Sequence, residues 1–205
     1  MAKLYFKYGT MGSSKTAQAL MCKFNYEQKG FKVLLIKPLI DNRDMQDGQI
    51  VARSRIGLSS PCFTFGVERN LCDFVADKTK NWSDFVVIVD EVQFCTEEQV
   101  NQLHKVSEKV PVLCYGLLTN FKTKLFAGSK RLVEIAESIE EIKSVCTCGQ
   151  KASINARFID GELVTEGAEI MIGADESYQC LCFSCYQKLK DKLNNKYCDC
   201  WREYF

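Results

Sequence analysis

Hydrophobic residues along the first 140 positions recur with two alternating periods, which predicts strands and helices in turn. Residues 4–8 form a short apolar and aromatic run of strand length. Residues 15–29 have helix-forming composition, with Ala17, Leu20, Met21 and Phe24 at helical spacing and Gly30 as a stop. Residues 32–37 read as a Val- and Leu-rich strand closed by Pro38, and 39–60 as a long polar loop rich in Asp and Arg. A helix is expected over 70–80. Residues 85–90 are apolar until the terminal Asp90, the pattern of a strand covered by helices on both faces. Thr96 caps a helix running to about 108, with Glu98 and Gln99 in its first turn. A buried strand over 110–115, a Gly-Thr-Asn stretch and a helix over 130–139 complete the series. Strand and helix in alternation imply a parallel sheet with crossover helices, an α/β fold.

The pattern changes at Cys146. Short alternating pieces at 153–159 and 162–165 are followed by a Gly-rich stretch at 167–174, with close cysteine pairs at both ends of the segment. The tail is charged, then aromatic. The expected organisation is an α/β domain over 1–142, a small second domain over 143–193 and a C-terminal tail over 194–205.

Composition narrows the classes. With 46% hydrophobic and 26% charged residues the chain is a folded one, neither disordered nor fibrous. The longest apolar runs, 33–36 and 85–89, are far shorter than a membrane span, so no membrane role is expected. The polar start, MAKLYFKYG, does not resemble a secretory signal, which points to a cytoplasmic protein. Basic and acidic residues number 27 and 26, a balance that argues against binding nucleic acid by phosphate neutralisation. Among 12 cysteines, Cys22, Cys62, Cys72, Cys95 and Cys114 are scattered and read as small buried hydrophobes.

Three motifs carry chemistry. Gly9-Thr10-Met11-Gly12-Ser13-Ser14-Lys15-Thr16 follows a predicted strand and opens a predicted helix, the context of a phosphate-binding loop. Its backbone N–H groups would converge on an anion, Lys15 would reach the β- and γ-phosphates, and Thr16 would ligate magnesium. Ser14 stands where the usual pattern has a second glycine. Downstream, Asp90 at the end of an apolar strand is placed to hold magnesium, and Glu91 to act as a general base. Third, Cys146 and Cys148 with Cys182 and Cys185 have the spacing of a closed four-thiolate zinc site. Cys180 could substitute in that set, whereas Cys198 and Cys200 read as non-ligands. The single histidine, His104, lies in a polar helix pattern and offers no acid–base site.

Together these residues carry a resemblance to the zinc-containing thymidine kinases of bacteria and of the animal cytosol, over residues 3–190. The further carriers are Lys37-Pro38-Leu39-Ile40-Asp41-Asn42-Arg43, Gln93-Phe94 after the acidic pair, 115–121, Phe126, and Gly173-Ala174-Asp175 ahead of Tyr178. The resemblance implies a P-loop NTPase-like parallel sheet with flanking helices and a C-terminal zinc ribbon bearing a lasso loop. It implies transfer of phosphate from magnesium-bound ATP to the 5′-hydroxyl of thymidine, and of deoxyuridine, in nucleoside salvage. By position, Glu91 looks like the catalytic base. The phosphate-side residues look like 9–16 with Asp41, Arg43, Asp90 and Gln93. The nucleoside site looks like Met11, Leu117, Phe121, Phe126, Glu169, Ile170, Met171, Ile172, Gly173 and Tyr178. Asn120 replaces an aspartate common in bacterial members. A homotetramer and feedback inhibition by thymidine triphosphate are implied likewise. Two rival classes are a P-loop ATPase coupled to motion, lacking an identifiable arginine finger, and a non-catalytic zinc-ribbon binding module. Retention of Lys15, Thr16, Asp90 and Glu91 together weighs against the latter.

Overall fold

The computed structural model describes residues 3–39, 45–46, 49–169 and 177–202, and for 45–46 and 194–202 the backbone alone. In chain order, β1 (Leu4–Tyr8) leads into α1 (Lys15–Glu27), and β2 (Lys32–Pro38) into three short strands, β3 (Met45–Gln46), β4 (Gln49–Arg53) and β5 (Ser59–Pro61). There follow β6 (Phe63–Phe65), α2 (Leu71–Ala76), β7 (Phe85–Val89), a single 3-10 turn at Val92–Phe94, α3 (Glu97–Ser107), β8 (Val112–Gly116), α4 (Ala127–Ile135) and β9 (Ser138–Glu141). Strands β10 (Ser144–Val145), β11 (Lys151–Ala152), β12 (Ile154–Ile159), β13 (Glu162–Val164) and β14 (Tyr178–Leu181) precede α5 (Phe183–Arg202).

The main sheet has six parallel strands in the order β6-β2-β7-β8-β1-β9. Its central strands β7 and β8 are buried at every residue, because apolar clusters cover both faces. Phe6, Leu34, Val87, Val89 and Leu103 pack on one face; Leu20, Leu35, Val86, Ile88 and Tyr115 on the other. Parallel pairing aligns the strand C-termini, so the loops after β1, β7 and β8 open along one edge, where ligands of open α/β sheets bind. A third cluster, of Ala152, Ile154, Ala156, Leu163, Leu181 and Tyr186, forms the small core around the antiparallel sheet β13-β12-β14 and the start of α5.

Helix α3 begins as its sequence implies. Thr96 and Gln99 form a reciprocal capping box, and the Gln99 side-chain amide also donates to the carbonyls of Gly66, Val67 and Arg69.

Several sequence expectations need correction. The stretch read as a long loop contains a hairpin: β4 and β5 pair antiparallel, with Val51 opposite Pro61 and Arg53 opposite Ser59. Its only buried pair, Val51 and Ala52, is adjacent, so no alternation was visible. The hairpin is instead held by its turn, in which Ser54 N–H donates to the Leu58 carbonyl and Leu58 N–H to Ser54 Oγ, with Gly57 at φ 88°. The helix expected over 70–80 is only α2. The helix expected over 130–139 starts earlier and stops at Ile135, since 138–141 joins β1 as edge strand β9. Among the described residues no helix is long and apolar enough to cross a membrane.

Candidate active site and metal centre

The loop between β1 and α1 is tied down on several sides. Gly9 N–H donates to the Gly116 carbonyl at the end of β8, Ser13 N–H to the Thr10 carbonyl, and the Thr10 and Ser144 hydroxyls hydrogen-bond one another. A side chain at Gly9 would stand 2.3 Å from Ser13 Oγ and 2.5 Å from the Ile142 carbonyl, so glycine is required there. Gly12 and Ser14 both have positive φ, 75° and 65°. Ser14 therefore occupies the left-handed position that the usual glycine fills, and its hydroxyl makes no capping hydrogen bond.

Lys15 is buried, and its Nζ donates to the Thr10 carbonyl at 2.7 Å. Burial pulls its pKa down, while the charges of Glu91 and Asp90 push it back up. Asp90 follows the last residue of β7 and is 3% exposed. Burial, then the neighbouring Glu91, pushes its carboxyl up to about 7, against hydrogen bonds from the Thr16 hydroxyl and the Glu91 N–H. The buried Asp90 carboxylate and the half-buried Thr16 hydroxyl are oxygen donors of the hard type that magnesium takes. Thr16 and Asp90, already in contact, fit as its holders.

Glu91 itself has φ 54°, an uncommon left-handed conformation of the kind that clusters at functional sites. Gln93, expected on the phosphate side, makes two side-chain hydrogen bonds. Its amide nitrogen donates to Glu91 Oε2, and its Oε1 accepts from Leu117 N–H at 2.9 Å. Gly116 makes room for it, since a side-chain carbon there would lie 2.6 Å from Gln93 Oε1. Gln93 thus links the acidic residue after β7 to the backbone after β8.

Of the expected nucleoside residues, the structure ties Met11, Phe121 and Tyr178 to one strand, β12. Met11 N–H donates to Asn155 Oδ1 at 2.8 Å, and Asn155 Nδ2 donates to the Thr119 carbonyl. The Arg157 guanidinium stacks on Phe121 and bonds the Tyr178 hydroxyl. Phe126 packs edge-on against Phe94, at 6.0 Å between ring centroids, and its N–H reaches the Leu118 carbonyl. Leu117 is half-buried beside Gln93, and Glu169 is exposed. Asp41, Arg43, Ile170, Met171, Ile172 and Gly173 lie outside the described residues. Asn120 caps its own turn through Oδ1, which accepts from Lys122 and Lys124 N–H, the task an aspartate would perform there.

Sequence reasoning missed three residues. Arg55, in the hairpin turn, puts Nη1 3.7 Å from where a side-chain carbon on Gly12 would stand. Asn155 and Arg157 alternate with Ile154, Ala156 and Phe158, a pattern that reads as a strand with one wet face. That face is in fact buried, Asn155 at 3% and Arg157 at 2% exposure.

The four cysteines meet as the spacing predicted. The ligand sulfurs of Cys146, Cys148, Cys182 and Cys185 lie within 4.8 Å of one another. A tetrahedral zinc with Zn–S bonds of ~2.3 Å would set them about 3.8 Å apart, close to the 3.6 Å between Cys148 and Cys182. The tight Cys146–Cys148 spacing is accommodated by a turn in which Gly149, at φ 85°, donates to the Cys146 carbonyl. The N–H groups of Cys148 and Cys182 pull the Cys146 thiol down to about 6, while hydrogen bonds among the sulfurs hold Cys185 up at about 12. A central cation would let all four ionise together. Cys180 turns away, its thiol donating to the Met11 carbonyl, so it is no part of the cluster.

Sheet order, loop and cysteine cluster define an α/β phosphate-loop protein with a four-cysteine C-terminal segment. A model of the thymidine kinase family matches residues 2–186. The chain is 43% identical to a thymidine kinase of Haemophilus influenzae over 185 residues, 89% of this chain and 94% of that one. It is 38% identical to one of Rhodopirellula baltica over 201 residues, 94% of each, and 40% identical to one of Zymomonas mobilis over 89% and 94%. The chain belongs to the thymidine kinase family and is an enzyme of the kinase class.

Two outcomes are expected. Ser14→Gly should stabilise the protein by about 0.5–1 kcal/mol, because relief of left-handed strain outweighs the added freedom of the unfolded chain; a lower urea midpoint would contradict this. Elemental analysis of purified protein should find one zinc per chain, and Cys148→Ser should lose it along with the fold of the C-terminal segment. Folded protein free of zinc would refute the site.

Proposed function

We propose that the protein transfers the γ-phosphoryl group of magnesium-bound ATP to the 5′-hydroxyl of thymidine, and of deoxyuridine, for nucleoside salvage in the cytoplasm. The observation that carries the reading is the contact of Asp90 with Thr16 and of Glu91 with Gln93, at the sheet edge shared with the phosphate loop. Membership of the thymidine kinase family supports thymidine as the acceptor.

The roles follow from position. The loop N–H groups of residues 9–16 and the Lys15 ammonium hold the polyphosphate, with Arg55 as a further cation above Gly12; Asp41 and Arg43 are assigned to the phosphate side by the family resemblance. Thr16 and Asp90 would hold magnesium, which when bound would supply charge neutralisation. Glu91 accepts the 5′-hydroxyl proton as the new O–P bond forms. The bond from γ-phosphorus to the bridging oxygen breaks, and its electron pair leaves on ADP. Gln93 keeps the Glu91 carboxylate facing the acceptor. Met11, Leu117, Phe121, Phe126 and Tyr178, with residues 169–173, surround the base.

The flat apolar walls suit a pyrimidine, and hydrogen bonds to its edge supply discrimination. Deoxyuridine keeps that edge and loses a methyl worth about 1 kcal/mol of burial. We assign the nucleotide to residues 1–142, the nucleoside clamp to a zinc-stabilised domain over 143–193, and no catalytic part to 194–205. The family resemblance further supports a homotetramer and feedback inhibition by thymidine triphosphate. An exposed apolar patch of Met21, Phe24 and Leu58 is consistent with subunit contact.

Steady-state kinetics over a nucleoside panel tests the reading. Thymidine and deoxyuridine should fall within about tenfold of one another in kcat/KM, with deoxycytidine and purine nucleosides poor. Glu91→Gln should cut kcat by about 10²–10⁴ while nucleotide binding persists. Deoxycytidine turnover equal to thymidine, or near-normal kcat in Glu91→Gln, would overturn it.

A further inference from the structure

Arg157 is buried at 2% exposure, yet no carboxylate pairs with it among the described residues. Its charge is met by neutral partners. Nε and Nη2 both donate to the Tyr178 hydroxyl, Nε at 2.8 Å; Nη1 donates to the Ala168 carbonyl at 2.8 Å and Nη2 to the Glu169 carbonyl at 3.3 Å. The guanidinium carbon sits 3.7 Å from the centroid of the Phe121 ring and 5.2 Å from that of Tyr178. Burying an unpaired cation is costly, and the ring faces and carbonyls offset only part of that. The small core does not need it. Ile154 and Ala156, on the opposite face of β12, pack with Leu163 and Leu181 without Arg157. What Arg157 does is join two aromatic rings that arrive from distant parts of the chain, one after β8 and one at the start of β14.

We propose that Arg157 is a positioning residue that fixes Phe121 and Tyr178 as two walls of the nucleoside site, and so sets the affinity for the nucleoside and not for the nucleotide. This rests on the reading above that those rings receive the base. Each of its three nitrogens already donates to the protein, so Arg157 acts through the rings. The planar fork both stacks on Phe121 and splits its donors between Tyr178 and two carbonyls. A lysine ammonium offers neither geometry, so Arg157→Lys is not a conservative change here.

Kinetic constants for thymidine and ATP, with melting temperatures, in wild type, Arg157→Lys, Tyr178→Phe and the double variant form the test. Arg157→Lys should raise the thymidine KM by at least about tenfold while the ATP KM stays within about threefold. Tyr178→Phe, which removes only the hydroxyl, should raise the thymidine KM in the same direction with little change in melting temperature. The double variant should be no worse than Arg157→Lys, because both act through one linkage. An unchanged thymidine KM, parallel rises in both KM values, or effects that multiply in the double variant would each overturn the proposal. Should Arg157→Lys fail to fold, an unchanged KM in Tyr178→Phe overturns it alone. Wild-type protein that ignores thymidine would instead defeat the functional reading.

Discussion

The edge of the main sheet is organised around one carboxylate kept out of water. Asp90 ends a strand, Phe85–Val89, whose every side chain is buried, so its own carboxyl is delivered into the sheet edge with almost no solvent. Desolvation raises its pKa, and the adjacent Glu91 raises it again. An ionised pair in that position demands compensation, and the chain places a buried ammonium and a hydroxyl, Lys15 and Thr16, against it. The backbone between β1 and α1 is shaped to let them arrive there, at the cost of two residues in the left-handed region, one of them a serine. Placing Glu91 requires a third such residue, Glu91 itself, held from the other side by Gln93.

A second dependence runs through β12. Its inward face meets the small cysteine-bounded core, and its other face carries Asn155 and Arg157 against Met11, Thr119, Phe121 and Tyr178. One strand therefore touches both the phosphate loop and two aromatic candidates for the nucleoside walls. The cysteine cluster secures this arrangement from behind. Cys146 follows β10, which faces the phosphate loop through Ser144, and Cys182 directly follows β14, which carries Tyr178 and Cys180. A metal bound by the four sulfurs would stiffen the segment that presents these residues.

How much of this was legible in the sequence follows from which forces write local patterns. The parallel sheet was readable because buried strands such as 85–89 and 112–116 are apolar throughout, and α3 because Thr96 and Gln99 form a local box. The cysteine pairs and the Gly9–Thr16 loop were readable because their chemistry fixes residue type and spacing. The hairpin at 49–61 was not, since a turn and only two buried apolar residues, Val51 and Ala52, hold it. Nor was β9, because Ile135 and Ile139 have the spacing of a continuing helix. Asn155 and Arg157 were hidden for a different reason. Polar residues alternating with apolar ones normally face water, and only tertiary contact, with Met11 and Thr119 for Asn155 and with Phe121 and Tyr178 for Arg157, reveals them as buried.

The most direct test follows the transferred phosphate. Purified protein is given magnesium-bound ATP with and without thymidine, and ADP and nucleoside monophosphate are quantified together. One ADP formed per thymidine monophosphate, with ADP formation all but absent when thymidine is withheld, is the predicted result. ADP released at the same rate whether or not thymidine is present would contradict the account, because Asp90 and Glu91 would then serve hydrolysis and not transfer to a nucleoside.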